Sequence, residues 1–225
     1  MKLRRFATCF STFVVAFAVL GLGSAGAGVV LYDNGSSSYS VNSWSISTSD
    51  HAYAVTDSFT LLQSSNVNGV DFVAWTYPGV TPLTVGWAIT PAPFGGVPYA
   101  SGVADSGVVG VGGLVSSSLG SNGIGAPIFQ ETFLFTNVLL GAGTYWLQLS
   151  NATGSGGSVY WDQNSGPSAA SLSVDSVVRP LNGKGEGSET FQILGDPTGQ
   201  TPEPGTAALL GAGLLLAGIL RRRLS

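Results

Sequence analysis

The sequence predicts an all-β domain over residues 28–195, folded as an antiparallel β-sandwich or a jelly-roll-like variant. Apolar and polar residues alternate with a period of two through most of this range, and glycine, proline, asparagine and serine interrupt the alternation at short intervals. No stretch between residues 28 and 200 has apolar residues at helical spacing over ten or more positions. Nine or ten short strands separated by turns are typical of these folds. A solenoid would require a repeat at a fixed period, and none is found.

The predicted strands follow from this alternation. The clearest covers residues 83–90, where Leu83, Val85, Trp87 and Ile89 are expected to share one face. The others cover residues 29–32, 44–48, 52–62, 70–75, 128–136, 143–149, 158–161 and 190–194, with a looser strand pair over residues 95–125.

Composition supports a folded, acidic body. Charged residues make up only 9% of the chain, but 44% of the residues are hydrophobic and five are tryptophan, which is enough apolar material for a core. Between residues 28 and 200 there are two cations against eleven carboxylates, a net charge of −9. This balance excludes nucleic acid as a partner. The only cysteine, Cys9, precedes this body, which therefore needs no disulfide.

Residues 1–27 are predicted to be a secretory signal peptide with a helical apolar core. Three basic residues open the chain and an apolar run of about ten residues follows, over residues 13–22. Ala25 and Ala27 supply small side chains at positions −3 and −1, so cleavage is expected after Ala27. The alternative is an uncleaved N-terminal anchor.

The last 25 residues, 201–225, combine a Pro-Glu-Pro triplet, fourteen apolar or small residues and three arginines, in that order. As a helix rising ~1.5 Å per residue, the apolar run is about 21 Å long, shorter than a bilayer core of about 30 Å. Arginines can extend to the headgroups and favour the cytoplasmic side, so we expect a transmembrane helix over residues 206–220 and a linker over residues 196–200. The residues that define the segment are Pro202, Glu203, Pro204, Arg221, Arg222 and Arg223.

This C-terminal segment resembles the PEP-CTERM sorting signal of Gram-negative bacteria. The resemblance implies an exported substrate of an exosortase, a membrane protease–transpeptidase that recognises the Pro-Glu-Pro triplet while the helix acts as a transient anchor. The alternative is a plain tail anchor. Four body segments, at residues 32–35, 55–61, 143–147 and 159–167, also resemble blocks of uncharacterised PEP-CTERM proteins, which imply the architecture and bring no activity.

Catalytic patterns are lacking, so no enzyme activity and no cofactor are predicted. His51 lies in a turn rich in serine and threonine, and no G-x-S-x-G motif accompanies it. The spacing of Asp71, Asp105, Glu131 and Asp162 marks no glycosidase pair, and Asp71 and Glu131 are expected to face outward. No cysteine–histidine set or calcium loop is present, which leaves open only a single structural calcium ion held by loop oxygens.

One local feature suggests a ligand. Trp161 lies at a predicted strand end beside Asp162 and Asn164, which is the mixture of aromatic face, carboxylate and amide that a sugar-binding platform uses. The alternative places Trp161 in the core and leaves Asp162 and Asn164 to shape a turn. Solvent exposure of the tryptophans distinguishes the two interpretations.

Together these observations predict an exported, non-catalytic protein of the cell surface or extracellular matrix. Its expected partners are the secretion machinery and an exosortase-type membrane protease, and exopolysaccharide is the candidate ligand. We expect a precursor anchored in the inner membrane and then a surface-bound or extracellular product. The alternative function is a carbohydrate- or exopolysaccharide-binding module, and an enzyme acting on polysaccharide ranks below both.

Overall fold

The structure, a computed structural model, describes residues 28–39, 42–50, 53–174, 177–181 and 187–198. The predicted signal peptide with Ala25 and Ala27, residue His51, and the whole segment 201–225 lie outside these ranges. Within the described ranges there is no helix whose length and hydropathy suit a membrane span. The predicted helix over residues 206–220 falls on the part that is not described.

The described residues form fourteen strands and no helix, which confirms the all-β prediction. In chain order the strands are β1 (Val29–Asp33), β2 (Ser43–Ser45), β3 (Ala54–Leu61), β4 (Ser65–Thr76), β5 (Pro82–Thr90), β6 (Ala100–Asp105), β7 (Leu114–Ser121), β8 (Pro127–Leu140), β9 (Gly143–Gly154), β10 (Val159–Asn164), β11 (Ser171–Val174), β12 (Val177–Pro180), β13 (Ser188–Glu189) and β14 (Phe191–Pro197). The looser region, residues 95–125, contains two strands, β6 and β7, but the expected pairing between them is wrong. β6 pairs with β5 in the smaller sheet, and β7 pairs with β8 in the larger sheet.

The strands form two antiparallel sheets, one of eight strands and one of six. In the larger sheet, β4 pairs with β8 along one side. Along its other side, β4 pairs first with β14 and then, over its last three residues, with β10. The order in the smaller sheet is β12-β11-β3-β9-β5-β6. The first and last described strands, β1 and β14, are neighbours, with Val29 opposite Gly195.

The two sheets contribute side chains to one hydrophobic core. The ring centroid of Phe59 in the smaller sheet lies 6.5 Å from that of Phe191 in the larger sheet. The ring centroids of Trp87 in the smaller sheet and Phe135 in the larger sheet are 4.4 Å apart in the same core. Burying a large apolar side chain stabilises a fold by about 1.5–3 kcal/mol relative to leaving it exposed. The alternating residues that predicted the strands are thus the ones that hold the sheets together.

The prediction that Leu83 shares the buried face of β5 is wrong. Val85, Trp87 and Ile89 are buried as expected, but Leu83 is 38% exposed. The pairing of β5 with β9 shifts register on both sides of Thr84. Pro82 and Thr84 are opposite consecutive residues of β9, Gly154 and Thr153, so Leu83 is the extra residue of a bulge and departs from the alternation.

A smaller apolar cluster lies apart from the main core, against the larger sheet. It contains Trp75, Val73 and Ile128, and the ring of Tyr160 stacks on that of Trp75 at 4.5 Å. Successive residues of a strand point to opposite faces, and Phe72 belongs to the main core, so Val73 and Trp75 mark the outer face of the larger sheet.

Candidate functional site

Trp161 is fully buried, so the alternative that places it in the core describes it, and the sugar platform considered for this residue is not supported. Its exposed fraction is 0%, and its ring packs edge-on against those of Phe72 and Phe191. The indole N–H donates a hydrogen bond of 2.9 Å to the carbonyl of Thr190, so its polar atom is satisfied inside the fold. Trp161 points into the main core because it is opposite Ala74 of β4, which belongs to that core, and directly opposed residues share a face of the sheet. Neither face of the Trp161 ring is therefore open to a ligand.

Asp162 and Asn164 are buried as well, and they bind the protein's own backbone and side chains. The Asn164 amide donates to the carbonyl of Asn34 at 2.6 Å, and its oxygen accepts the N–H of Gly166 at 3.0 Å. The carboxylate of Asp162 accepts from the hydroxyl of Thr190. The turn-shaping alternative therefore describes Asn164, because an Asx turn is what its side chain forms. Of the remaining tryptophans, Trp75 and Trp87 are buried while Trp44 and Trp146 are half-buried.

Beyond this strand end lies a buried polar cluster, called here the Asn34 cluster, that sequence reasoning missed. It contains Asn34, Asp57, Ser168, Ser188 and Glu189. The amide nitrogen of Asn34 lies 2.6 Å from three oxygens, the two serine hydroxyls and the Glu189 carbonyl, and 3.2 Å from the Asp57 carboxylate. Asp57 also accepts from the Ser168 hydroxyl and the Glu189 N–H, both at 2.7 Å. The cluster ties β3, β13 and the segments after β1 and β10 to one another.

The carboxyl groups of the Asn34 cluster are hard to ionise. Burial raises the pKa of Asp57 to about 6, although hydrogen bonds from Glu189, Ser168, Ser58 and Ser188 oppose the rise. Burial raises the pKa of Glu189 well above its usual range, and the nearby charges of Asp57 and Asp162 add to the effect. No nearby cation lowers these pKa values, because the only lysine or arginine among the described residues is Arg179, which is exposed.

Glu131 is a second buried carboxyl group, and the prediction that it faces outward is wrong. It is 0% exposed on β8, where its odd-numbered position places it with Phe133 and Phe135 on the core side. Burial raises its pKa to about 7, while a hydrogen bond from the Ser116 hydroxyl opposes the rise. Asp71 differs, because it is half-buried on the outer face and accepts from Thr132 at 2.5 Å.

This chemistry suits a structural role. Among the described residues no three or more histidine, cysteine, aspartate or glutamate side chains are arranged to hold a metal ion. The Asn34 amide itself occupies the point on which the surrounding oxygens converge. The raised pKa values follow mainly from burial, which buried structural networks produce as well as active sites.

Close packing around the cluster leads to a first prediction. Gly166→Ala is expected to lower the free energy of unfolding by about 1–3 kcal/mol, because the added methyl group would overlap the Asn34 carbonyl oxygen and displace the strand end. Urea denaturation measures the change. The matched control is Gly123→Ala, since nothing lies within 4 Å of a methyl group there. Equal stability of the two variants would contradict the packing described for Gly166.

The outer face of the larger sheet carries the outer-face pocket, an open cavity of about 240 Å³. Its floor is crossed by the polar row Asp33, Gln192 and Asp71, which are opposite one another on β1, β14 and β4. Gln130 of β8 extends the floor, and Tyr39 lines the pocket while 49% exposed. None of these residues was identified from the sequence as a ligand contact.

One signal in the sequence could have revealed the Asn34 cluster. Asp57 occupies the alternation set by Val55, Phe59 and Leu61, all of which are buried. A carboxylate at an inward position of a strand requires buried hydrogen-bond partners. Nothing comparable marks Tyr39, because its place in the pocket depends on which strands become neighbours.

Comparison with known proteins concerns the C-terminal end of the chain. Residues 200–223 match the family model of the PEP-CTERM protein-sorting motif, which confirms the resemblance drawn from Pro202, Glu203 and Pro204. The chain thus joins a β-rich body to this motif, which indicates an exported protein sorted by an exosortase from a membrane-anchored precursor. No curated protein and no solved structure matches the chain.

Proposed function

We propose that this protein is an exported, non-catalytic component of the cell surface or extracellular matrix. The observation that carries the proposal is the PEP-CTERM sorting motif at residues 200–223. In this proposal the two sheets form a β-sandwich body, residues 28–195, that is delivered outside the inner membrane. A non-catalytic role at the cell surface fits a body in which the carboxyl groups with raised pKa values, Asp57, Glu131 and Glu189, are buried away from solvent.

Delivery would use both ends of the precursor. The secretion machinery would remove residues 1–27 after Ala27, with Ala25 and Ala27 as the small residues at the cleavage site. Residues 206–220 would hold the precursor in the inner membrane, with Arg221, Arg222 and Arg223 on the cytoplasmic side. The exosortase would then cleave at the Pro-Glu-Pro triplet, and the body would be surface-bound or released.

Mass spectrometry of the exported protein tests this proposal. We expect the mature protein from the native host to lack residues 1–27 and the arginine cluster, because both ends are processed. A variant with Pro202, Glu203 and Pro204 all changed to alanine is expected to retain the tail and to stay in the membrane fraction. The matched control changes three exposed residues of the body, Ser106, Val108 and Val109, to alanine and should be processed normally. Recovery of Arg221–Ser225 in the mature wild-type protein would overturn the sorting mechanism.

A further inference from the structure

We propose that the outer-face pocket binds a neutral saccharide, held between the ring of Tyr39 and the polar row on the larger sheet. This site is separate from Trp161, and the proposal goes beyond the sorting function, because an exported protein need not bind any ligand. It rests on the polarity of the floor, the placement of Tyr39 and the lack of lysine and arginine among the described lining residues.

The floor offers polar groups at regular intervals. Asp33, Gln192 and Asp71 lie opposite one another on three adjacent strands, which are about 4.8 Å apart. Thr132, the next residue of the row, donates to Asp71 and fixes the orientation of its carboxylate. Gln130 lies one pleat further along and also lines the pocket. Three of the strands that carry these groups, β14, β4 and β8, are paired on both sides, whereas β1 lies at the sheet edge and pairs with β14.

The mixture of donors and acceptors identifies the ligand class. Carboxylates such as those of Asp33 and Asp71 accept hydrogen bonds only, whereas the amides of Gln130 and Gln192 both donate and accept. A sugar hydroxyl also donates and accepts, so vicinal hydroxyls can use both kinds of group. A metal ion is less well served, because only two of these four side chains are carboxylates and no three His, Cys, Asp or Glu side chains of the described residues are arranged to hold one. No lysine or arginine is among the described residues that line the pocket, and the body carries a net charge of −9, so anionic ligands are disfavoured.

Tyr39 supplies the apolar part of the site. Its backbone has a φ of 55°, which is uncommon for a residue other than glycine, and its N–H bonds to the hydroxyl of Ser37 at 3.0 Å. The preceding turn is held by the Asp33 carboxylate, which accepts the N–H of Gly35 at 2.8 Å. Strained residues persist only where surrounding contacts hold them, and such positions concentrate at ligand sites. An exposed tyrosine ring combines an apolar face with a polar tip, which matches a sugar ring and its hydroxyls.

The size of the cavity limits the ligand. At about 240 Å³ it is smaller than the ~300–1,000 Å³ typical of sites for drug-sized molecules. It therefore suits one or two sugar rings, such as the end of an oligosaccharide or a unit of a longer polysaccharide that continues into solvent.

Isothermal titration of the full chain tests the proposal. The probes are the neutral disaccharides cellobiose, maltose, mannobiose and galactobiose, with digalacturonate as the anionic comparison. We expect saturable binding of at least one neutral disaccharide and none of digalacturonate. Titration up to ~10 mM detects even a millimolar dissociation constant. No binding by any neutral probe, or equal binding of digalacturonate, would overturn the proposal.

Matched variants locate the site. Tyr39→Asn and Gln130→Ala are each expected to weaken binding about tenfold, and asparagine is chosen because it tolerates a positive φ. The controls are Tyr77→Ala, at a tyrosine 54% exposed outside the pocket, and Gln148→Ala, at a half-buried glutamine on the smaller sheet. Tyr39→Phe keeps the ring and should retain most of the affinity, which separates loss of contact from loss of folding. Binding that is unchanged in Tyr39→Asn and Gln130→Ala would show that the sugar binds elsewhere.

Discussion

Trp161→Ala is expected to lower the free energy of unfolding by about 3–5 kcal/mol, a large share of the 5–15 kcal/mol typical of a domain. The indole is fully buried between Phe72 and Phe191, with ring centroids 6.3 and 5.7 Å away, and truncation would leave a cavity where the two sheets meet. Urea denaturation of a body fragment, residues 28–200, followed by circular dichroism, measures the loss. Trp161→Phe keeps an aromatic ring and loses the hydrogen bond to Thr190, so it should lower the free energy of unfolding by less than Trp161→Ala.

Trp146→Ala is the matched control for this prediction. Trp146 is half-buried on β9, and its neighbours Tyr145 and Leu147 supply the core contacts of that strand. Its replacement should therefore cost clearly less than that of Trp161. If the two alanine variants were equally stable, the burial of Trp161 would be wrong and the platform interpretation would return.

Acidification from pH 8 to pH 5 is expected to stabilise the protein, opposite to the usual effect of acid on paired carboxylates. Burial raises the pKa of Asp57 to about 6 and that of Glu131 to about 7, from 3.8 and 4.5. Both groups therefore bind protons more readily in the folded state. Their protonation contributes stability that is complete below the unfolded-state values and is lost as the pH rises through 6 and 7. For Glu131 the shift corresponds to about 3 kcal/mol at most.

Denaturation at several pH values, with two variants, identifies the group responsible. Glu131→Gln preserves the shape of the side chain without its charge, so we expect higher stability than wild type at pH 8 and little difference at pH 5. Ser116→Ala removes the hydrogen bond that lowers the Glu131 pKa, so it should weaken the fold at pH 8 in particular. A wild-type stability that rises with pH between 5 and 8 would contradict the burial of these carboxyl groups.

The fold class was predictable because strand alternation is a local property. Val85, Trp87 and Ile89 repeat every second residue, and the same side chains form the core. Leu83 shows where local reasoning fails, because a bulge depends on the pairing of β5 with β9 and nothing in the residues 83–90 specifies it. The order of strands, which makes β1 a neighbour of β14, likewise depends on contacts distant in sequence.

The sites were predictable only in part, for a similar reason. The sorting motif is contiguous, so its residues could be recognised one after another and residues 200–223 match the family model. Asn34 and Asp57 are 23 residues apart in the sequence, and Asp57 and Glu189 are 132 residues apart. Only folding brings these three residues together. For Trp161 the sequence left a sugar platform and a core position both open, because its polar neighbours suggested solvent while the strand pattern also fitted burial; in the fold those neighbours bond to buried groups.

The position of β14 has a mechanical consequence. A body attached through the chain beyond Thr198 would transmit a pulling force directly into β14. That strand is paired on both sides, with β1 and with β4, and its Phe191 and Ile193 side chains lie in the core. Force along β14 would therefore act in shear on two hydrogen-bond ladders at once and would have to break many bonds together. An attachment at this end places the tension on one of the best-connected strands of the fold.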